Sequence, residues 1–225
     1  MSAIADRYWL VRNKVADAAD HVGRFPSEVT IVGVTKNVGV EEVRLAMAAG
    51  MCDFGENRVQ EFVGKQALFP DARWHFVGTL QTNKVKDVVG RAHLIHSVDS
   101  LRLLETIDKK AFQAGVVQAL LLQFNIAGEQ TKHGFSSSQA SEMLAAAAEF
   151  ENVRVRGLMT MAPFGSPQEA RKVFLELRNL RDSVCARTSN GVELEELSMG
   201  MTNDYCEAVE EGSTIVRIGR AIFGK

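Results

Sequence analysis

The sequence predicts an α/β protein in which strands and helices alternate eight times: a (β/α)8 TIM barrel, residues 1–225 forming one domain, with an extra N-terminal helix. Three observations point there. Short β-branched runs alternate with longer amphipathic stretches, the pattern of a parallel sheet. The strands so read number eight in 225 residues, close to the roughly 250 typical of a closed barrel. The first strand is not followed by a GxGxxG turn, which with the count of eight weakens the alternative, a doubly wound open sheet.

The elements follow in order. Residues 2–20 predict an amphipathic helix, with Leu10, Val11, Val15 and Ala18 near helical spacing. Residues 29–35 are a continuous apolar run, as expected of a strand buried on both faces. A helix over 41–49 stops at Gly50. A short strand over 52–54 precedes a helix over 56–68, and a strand over 74–77 precedes a helix over 82–89. A strand over 94–97 leads to a helix over 100–113, and a strand over 117–126 to a helix over 138–150. Ser136-Ser137-Ser138 reads as the N-cap of that helix rather than as a linker. A strand over 153–159 precedes a long helix over 167–188 that starts at Pro167. Strand 194–198, short helix 203–210 and strand 214–218 complete the eight units.

Composition bounds the function. The chain is 46% hydrophobic with 26 basic and 28 acidic residues, which gives no electrostatic footprint for nucleic acid or a membrane surface. Cys52, Cys185 and Cys206 are an odd number without a CxxC, fitting reduced thiols better than a disulfide framework. No apolar stretch approaches the roughly 20 residues of a membrane span, and the first residues lack a basic-then-apolar signal pattern. The expectation is a cytoplasmic protein. Its five histidines and three cysteines show no metal-ligand spacing.

In a barrel, function sits where strands end and βα loops begin. Lys36 follows the first strand. An amine leaving a buried strand is partly desolvated, which lowers its pKa and suits Schiff-base chemistry; a snorkelling charge at a strand end fits the same position. The loops after strands seven and eight carry Gly200, Thr202, Asn203 and Gly219, where backbone amides could hold a phosphate. Either glycine alone could serve only a tight turn. Arg217, flanked by Val216 and Ile218, points away from both, either into the barrel mouth or outward to a helix carboxylate. Asn57 lies at a loop-to-helix start, and His75 and His96 read as satisfied core groups.

Lys36, Gly55-Glu56-Asn57, His75-Phe76-Val77-Gly78-Thr79-Leu80-Gln81-Thr82-Asn83-Lys84, Lys132-His133-Gly134-Phe135, Gly157-Leu158-Met159-Thr160-Met161, Leu197-Ser198-Met199-Gly200-Met201-Thr202-Asn203-Asp204 and Val216-Arg217-Ile218-Gly219-Arg220-Ala221-Ile222-Phe223-Gly224 occur in this order. On these blocks, over essentially the whole chain, the sequence closely resembles the pyridoxal-phosphate homeostasis proteins, also called the YggS/PROSC family.

The resemblance implies a barrel like the N-terminal domain of alanine racemase, with pyridoxal 5′-phosphate (PLP) held as an aldimine on Lys36. It implies phosphate on Ser198, on the backbone around Gly200, Met201 and Thr202, and on Gly219 and Arg220. Arg217 would face the pyridine nitrogen and Asn57 would lie beside the ring.

Racemases of this type draw a second base from a β-domain after the barrel, and this sequence ends directly after the last strand and its loop. The expectation is therefore a monomeric, non-catalytic PLP-binding protein that buffers the cofactor or delivers it to PLP-dependent apoenzymes. Lys84 and Lys132 would be basic residues near the mouth, either accepting PLP transiently or simply solvated. The alternatives are a weak PLP-dependent, racemase-like enzyme and a barrel for another phosphorylated ligand with no covalent step.

Overall fold

The computed structural model describes residues 2–129, 133–185 and 191–224. Its strands are β1 (Thr30–Val34), β2 (Asp53–Glu56), β3 (Arg73–Phe76), β4 (Leu94–Val98), β5 (Gln118–Gln123), β6 (Val153–Met159), β7 (Val192–Ser198) and β8 (Ile215–Ile218). They close in sequence order into one parallel barrel, sealed by β8 against β1 with Val32 opposite Arg217. The (β/α)8 expectation holds.

The helices are α1 (Ala3–His21), α2 (Val40–Ala48), α3 (Val59–Leu68), α4 (Leu101–Ala114), α5 (Ala140–Ala148), α6 (Pro167–Cys185), α7 (Tyr205–Glu210) and α8 (Arg220–Phe223). The extra helix α1 buries Val11, Val15 and Ala18 as its spacing predicts, whereas Leu10 is exposed. Ser2 caps it, its Oγ accepting from the Ala5 N–H at 3.2 Å. Helix α4 stops at Gly115, whose φ of 66° suits a left-handed cap.

Several boundaries differ from the sequence reading. Residues Thr82–Asp87 form a 3₁₀ helix instead of an α-helix, so no α-helix lies in the β3–β4 crossover. Glu56, expected to open a helix, is the last residue of β2 and is fully buried. Strand β5 stops at Gln123; beyond it Phe124 makes a single bridge to Phe135. Ser136 precedes a 3₁₀ turn, its N–H donating to Gln139 Oε1 at 3.0 Å, and α5 begins only at Ala140. The four-residue helix α8 was not expected. The expected end of the long helix, over 186–188, lies outside the described residues.

The apolar interior has two parts. The larger lies between the sheet and the surrounding helices and includes Phe54, Phe62, Trp74, Phe76, Leu104 and Phe174. The smaller, inside the barrel, comprises Val32, Leu94, Leu121, Met159 and Ile215. Strand alternation puts His96 on the same side as Leu94, and Arg217 on the same side as Ile215. The barrel therefore turns polar toward the C-terminal ends of its strands, where the site lies.

Candidate functional site

A cavity of about 440 Å³ opens at that end. Its wall is formed by Val34 at the end of β1, Asn57 after β2, Val77 after β3, 161–167 after β6, 201–204 after β7, Arg217 on β8 and Gly219 and Arg220 behind it. Position at strand ends and βα loops is what the barrel dictates.

Arg217 is the one charged wall residue that is buried. Its Nη1 donates to Ser198 Oγ at 2.5 Å and its Nη2 to the Thr160 carbonyl at 3.0 Å. Both acceptors are neutral. Burial lowers its pKa to about 10, with Asp204 acting in the opposite sense. It points into the barrel rather than outward to a helix carboxylate. A buried guanidinium on two neutral acceptors keeps donors free for an electron-rich ligand.

Asn57 contributes a buried Oδ1 with no hydrogen-bond partner among the described residues. An orphaned amide end on a cavity wall fits a polar ligand group. Its backbone is fixed on both sides. The N–H donates to Glu56 Oε2 at 3.2 Å, and a Cβ on Gly78 would stand 2.2 Å from the Asn57 carbonyl oxygen. The glycine of the His75-Phe76-Val77-Gly78 block is therefore needed for close approach.

The 201–204 loop is held by a bond from the Met201 N–H to Asp204 Oδ1 at 2.6 Å. Burial raises the Asp204 pKa, opposed by that bond and by Arg217. Gly200 has φ of 91°, and a Cβ there would meet Ala208 Cβ at 2.5 Å. It shapes the loop from behind the cavity wall. Gly219 joins the wall, 3.4 Å from the Val34 carbonyl at its Cβ position.

The structure thus brings Asn57, Met201, Thr202, Arg217, Gly219 and Arg220 to one cavity. Ser198 lies beneath the wall, fully buried, its Oγ engaged by Arg217 and by His96 Nδ1 at 2.8 Å. Lys36 corrects one expectation: it is exposed, not partly desolvated. Strand β1 ends at Val34, and a turn closed by Val38 N–H to the Thr35 carbonyl, with Asn37 at φ 59°, carries Lys36 beyond the sheet. Lys84 is half-buried on the 3₁₀ helix and outside the cavity wall. Lys132 lies outside the described residues.

Sequence reasoning missed the loop after β6. Phe164, 97% exposed, stands on it at the cavity mouth. The Pro163-Phe164-Gly165-Ser166-Pro167 run was a loop signal that could have flagged it. No group of three or more His, Cys, Asp or Glu suited to a metal occurs among the described residues.

A parallel barrel with this cavity and a buried arginine in its wall is a (β/α)8 protein of the alanine racemase N-terminal type. Residues 11–225 match the family described as "Alanine racemase, N-terminal domain". The chain is 40% identical over 223 residues to the pyridoxal phosphate homeostasis protein of Aquifex aeolicus, covering 98% of this chain and 97% of that one. It is 34% identical over 229 residues to the protein of that name from Escherichia coli K12, covering 100% and 97%. The structure of PipY from Synechococcus elongatus PCC7942 with PLP bound superposes with a TM-score of 0.86 at 35% identity, covering 98% of this chain and 100% of that one. An alanine racemase from Clostridium difficile shares the fold at TM-score 0.74 and 15% identity, with 96% of this chain on 56% of that one. The chain belongs to the family of pyridoxal phosphate homeostasis proteins.

Proposed function

We propose that this protein binds PLP in the β-end cavity, joined through its aldehyde to the Lys36 amine, and holds it for PLP homeostasis without catalysing a reaction of its own. The observation that carries the reading is Arg217, a buried cation with neutral acceptors in the wall of a mostly apolar cavity. It is the residue that the family resemblance sets against the pyridine nitrogen. Relatives named for PLP homeostasis, and PipY solved with PLP bound, support the same ligand.

The residues divide the work. Lys36 would hold the cofactor by its amine, through the aldehyde carbon. Gly200, Met201, Thr202, Gly219 and Arg220 form and shape the loops that would take the phosphate. Asn57 supplies a polar group beside the ring. Ser198 acts from below through Arg217. Bound PLP supplies an electron sink for amino-acid chemistry. Arg217, if it holds the ring nitrogen as the family resemblance implies, would disfavour protonation there and weaken that sink.

The described residues of the cavity wall include no His, Tyr, Cys or Lys that could act as a base. The reading is of a monomeric carrier in the cytoplasm, with PLP-dependent apoenzymes as recipients. One observation favours the second reading, a weak racemase-like enzyme. Asp204 is an acid in the cavity wall whose pKa burial raises, a property of proton-handling groups.

The visible spectrum of the protein with PLP tests the reading. A band that is lost in Lys36→Ala, with the borohydride-reduced adduct mapped to Lys36, supports it. A protein that stays colourless with PLP overturns it. Transfer of PLP to an apoenzyme without turnover of alanine or serine separates carrier from enzyme.

A further inference from the structure

A buried chain of hydrogen bonds connects the far end of the barrel to Arg217. Asp53 Oδ1 lies 3.1 Å from His75 Nε2, and His75 Nδ1 lies 2.9 Å from His96 Nε2. His96 Nδ1 lies 2.8 Å from Ser198 Oγ, which accepts from Arg217. The five residues come from β2, β3, β4, β7 and β8, and all are buried. Arg73 holds the outer end, its Nε and Nη2 donating to the two Asp53 oxygens at 2.7 and 2.6 Å.

Counting protons gives the chain a direction. Burial alone would raise the Asp53 pKa, but hydrogen bonds from His75 and Arg73 outweigh it and hold it at about 2. An ionised carboxylate only accepts, so His75 carries its hydrogen on Nε2. A neutral His75 then accepts at Nδ1, and His96 must donate from Nε2. That leaves the His96 Nδ1 lone pair for the Ser198 hydroxyl hydrogen. Ser198 in turn offers a lone pair to Arg217. Burial, with the Arg217 charge nearby, pushes the His96 pKa well below its usual value and keeps that ring neutral. The reverse direction needs an added proton on His75. It would also aim two donors at Ser198 Oγ and turn its own hydrogen out of the chain.

We propose that Asp53, His75 and His96 are positioning residues: acting through Ser198, they fix the direction of every hydrogen bond in the chain and so lock the Arg217 guanidinium in the cavity wall for the ligand. The inference rests on the PLP reading for its ligand, and for its direction on the hydrogen-bond distances together with the ionised Asp53 carboxylate. None of the three residues belongs to the cavity wall. Their effect on binding is indirect, and the aligned bonds polarise one another.

Nitrogen-15 NMR of the histidine rings in the ligand-free protein tests the direction. At neutral pH both His75 and His96 should be neutral and protonated at Nε2. The near-isosteric Asp53→Asn offers His75 either a donor or an acceptor. It should therefore shift the His96 resonances toward the Nδ1-protonated form, although residue 53 does not touch His96. The same variant should weaken PLP binding about tenfold, the scale of one hydrogen bond to a charged group. A native His75 or His96 found cationic or Nδ1-protonated overturns the inference. So does an Asp53→Asn protein whose His96 signals and PLP affinity match the native ones. If Asp53→Asn does not fold, the native tautomers alone decide. If the native protein binds no PLP, the functional reading falls while the tautomers still decide the direction of the chain.

Discussion

Lys65 Nζ lies 2.5 Å from Glu56 Oε1, and both side chains are buried where α3 meets the ends of β1 and β2. Glu56 also accepts from Thr35 Oγ1 at 2.5 Å, and Lys65 donates to the Thr35 carbonyl at 2.7 Å. The pair therefore ties down the residues immediately before Lys36 and Asn57. Breaking it from one side leaves a buried charge, Lys65 keeping only the longer ion pair to Glu61 at 3.5 Å, so Glu56→Gln or Lys65→Met alone should cost about 3–5 kcal/mol. The double variant Glu56→Leu/Lys65→Met should cost less than either single change. Urea unfolding of the three variants checks this, and a double variant worse than both singles would refute it.

Acid should weaken the fold through Asp53. Its folded pKa, about 2, lies below the ordinary 3.8. A depressed carboxyl contributes stability above the unfolded value and loses it as pH falls through the folded one. The expected loss is roughly 2 kcal/mol, spread between about pH 4 and pH 2. Stability of Asp53→Asn against pH should be flatter in that window than that of the native protein. Parallel curves would remove Asp53 as the cause.

Gly200→Ala should destabilise the protein and disturb ligand binding together. The added Cβ meets Ala208 at 2.5 Å, and φ of 91° is a conformation alanine adopts only under strain. A cost of about 1–3 kcal/mol is expected. The 201–204 loop would move as the strain relaxes, so PLP affinity should fall along with the melting temperature. A melting temperature unchanged from native would contradict the tight approach.

Arg217→Met should cut PLP affinity by about tenfold or more, because it removes a charged donor from the cavity wall. Arg217→Lys should recover little of it, since one ammonium does not reproduce a fork that spans Ser198 and Thr160. Titration followed by visible absorbance measures both. Full rescue by lysine would mean that charge alone matters.

Much of the molecule was legible in the sequence for local reasons. Period-two and helical spacing mark the faces of strands and helices, and Gly50 marks a helix end. The motif blocks at the ends of β2, β7 and β8 pointed to Asn57, Met201, Thr202, Arg217, Gly219 and Arg220, which the fold does bring to one cavity. The 82–87 segment was misread because a short polar run with one buried residue, Val85, has too few turns to separate an α-helix from a 3₁₀ helix.

What the sequence determined by itself is the order of eight βα units and the identity of the residues at the strand ends. Tertiary structure alone decided that Lys36 stands exposed, that Lys65 is buried against Glu56, and that His75 and His96 join Asp53 to Ser198 and Arg217. The physical reason is barrel closure. It places side chains from β2 and β8, more than a hundred residues apart, on one interior surface, and periodicity along a strand says which face a residue takes but not which partner meets it there.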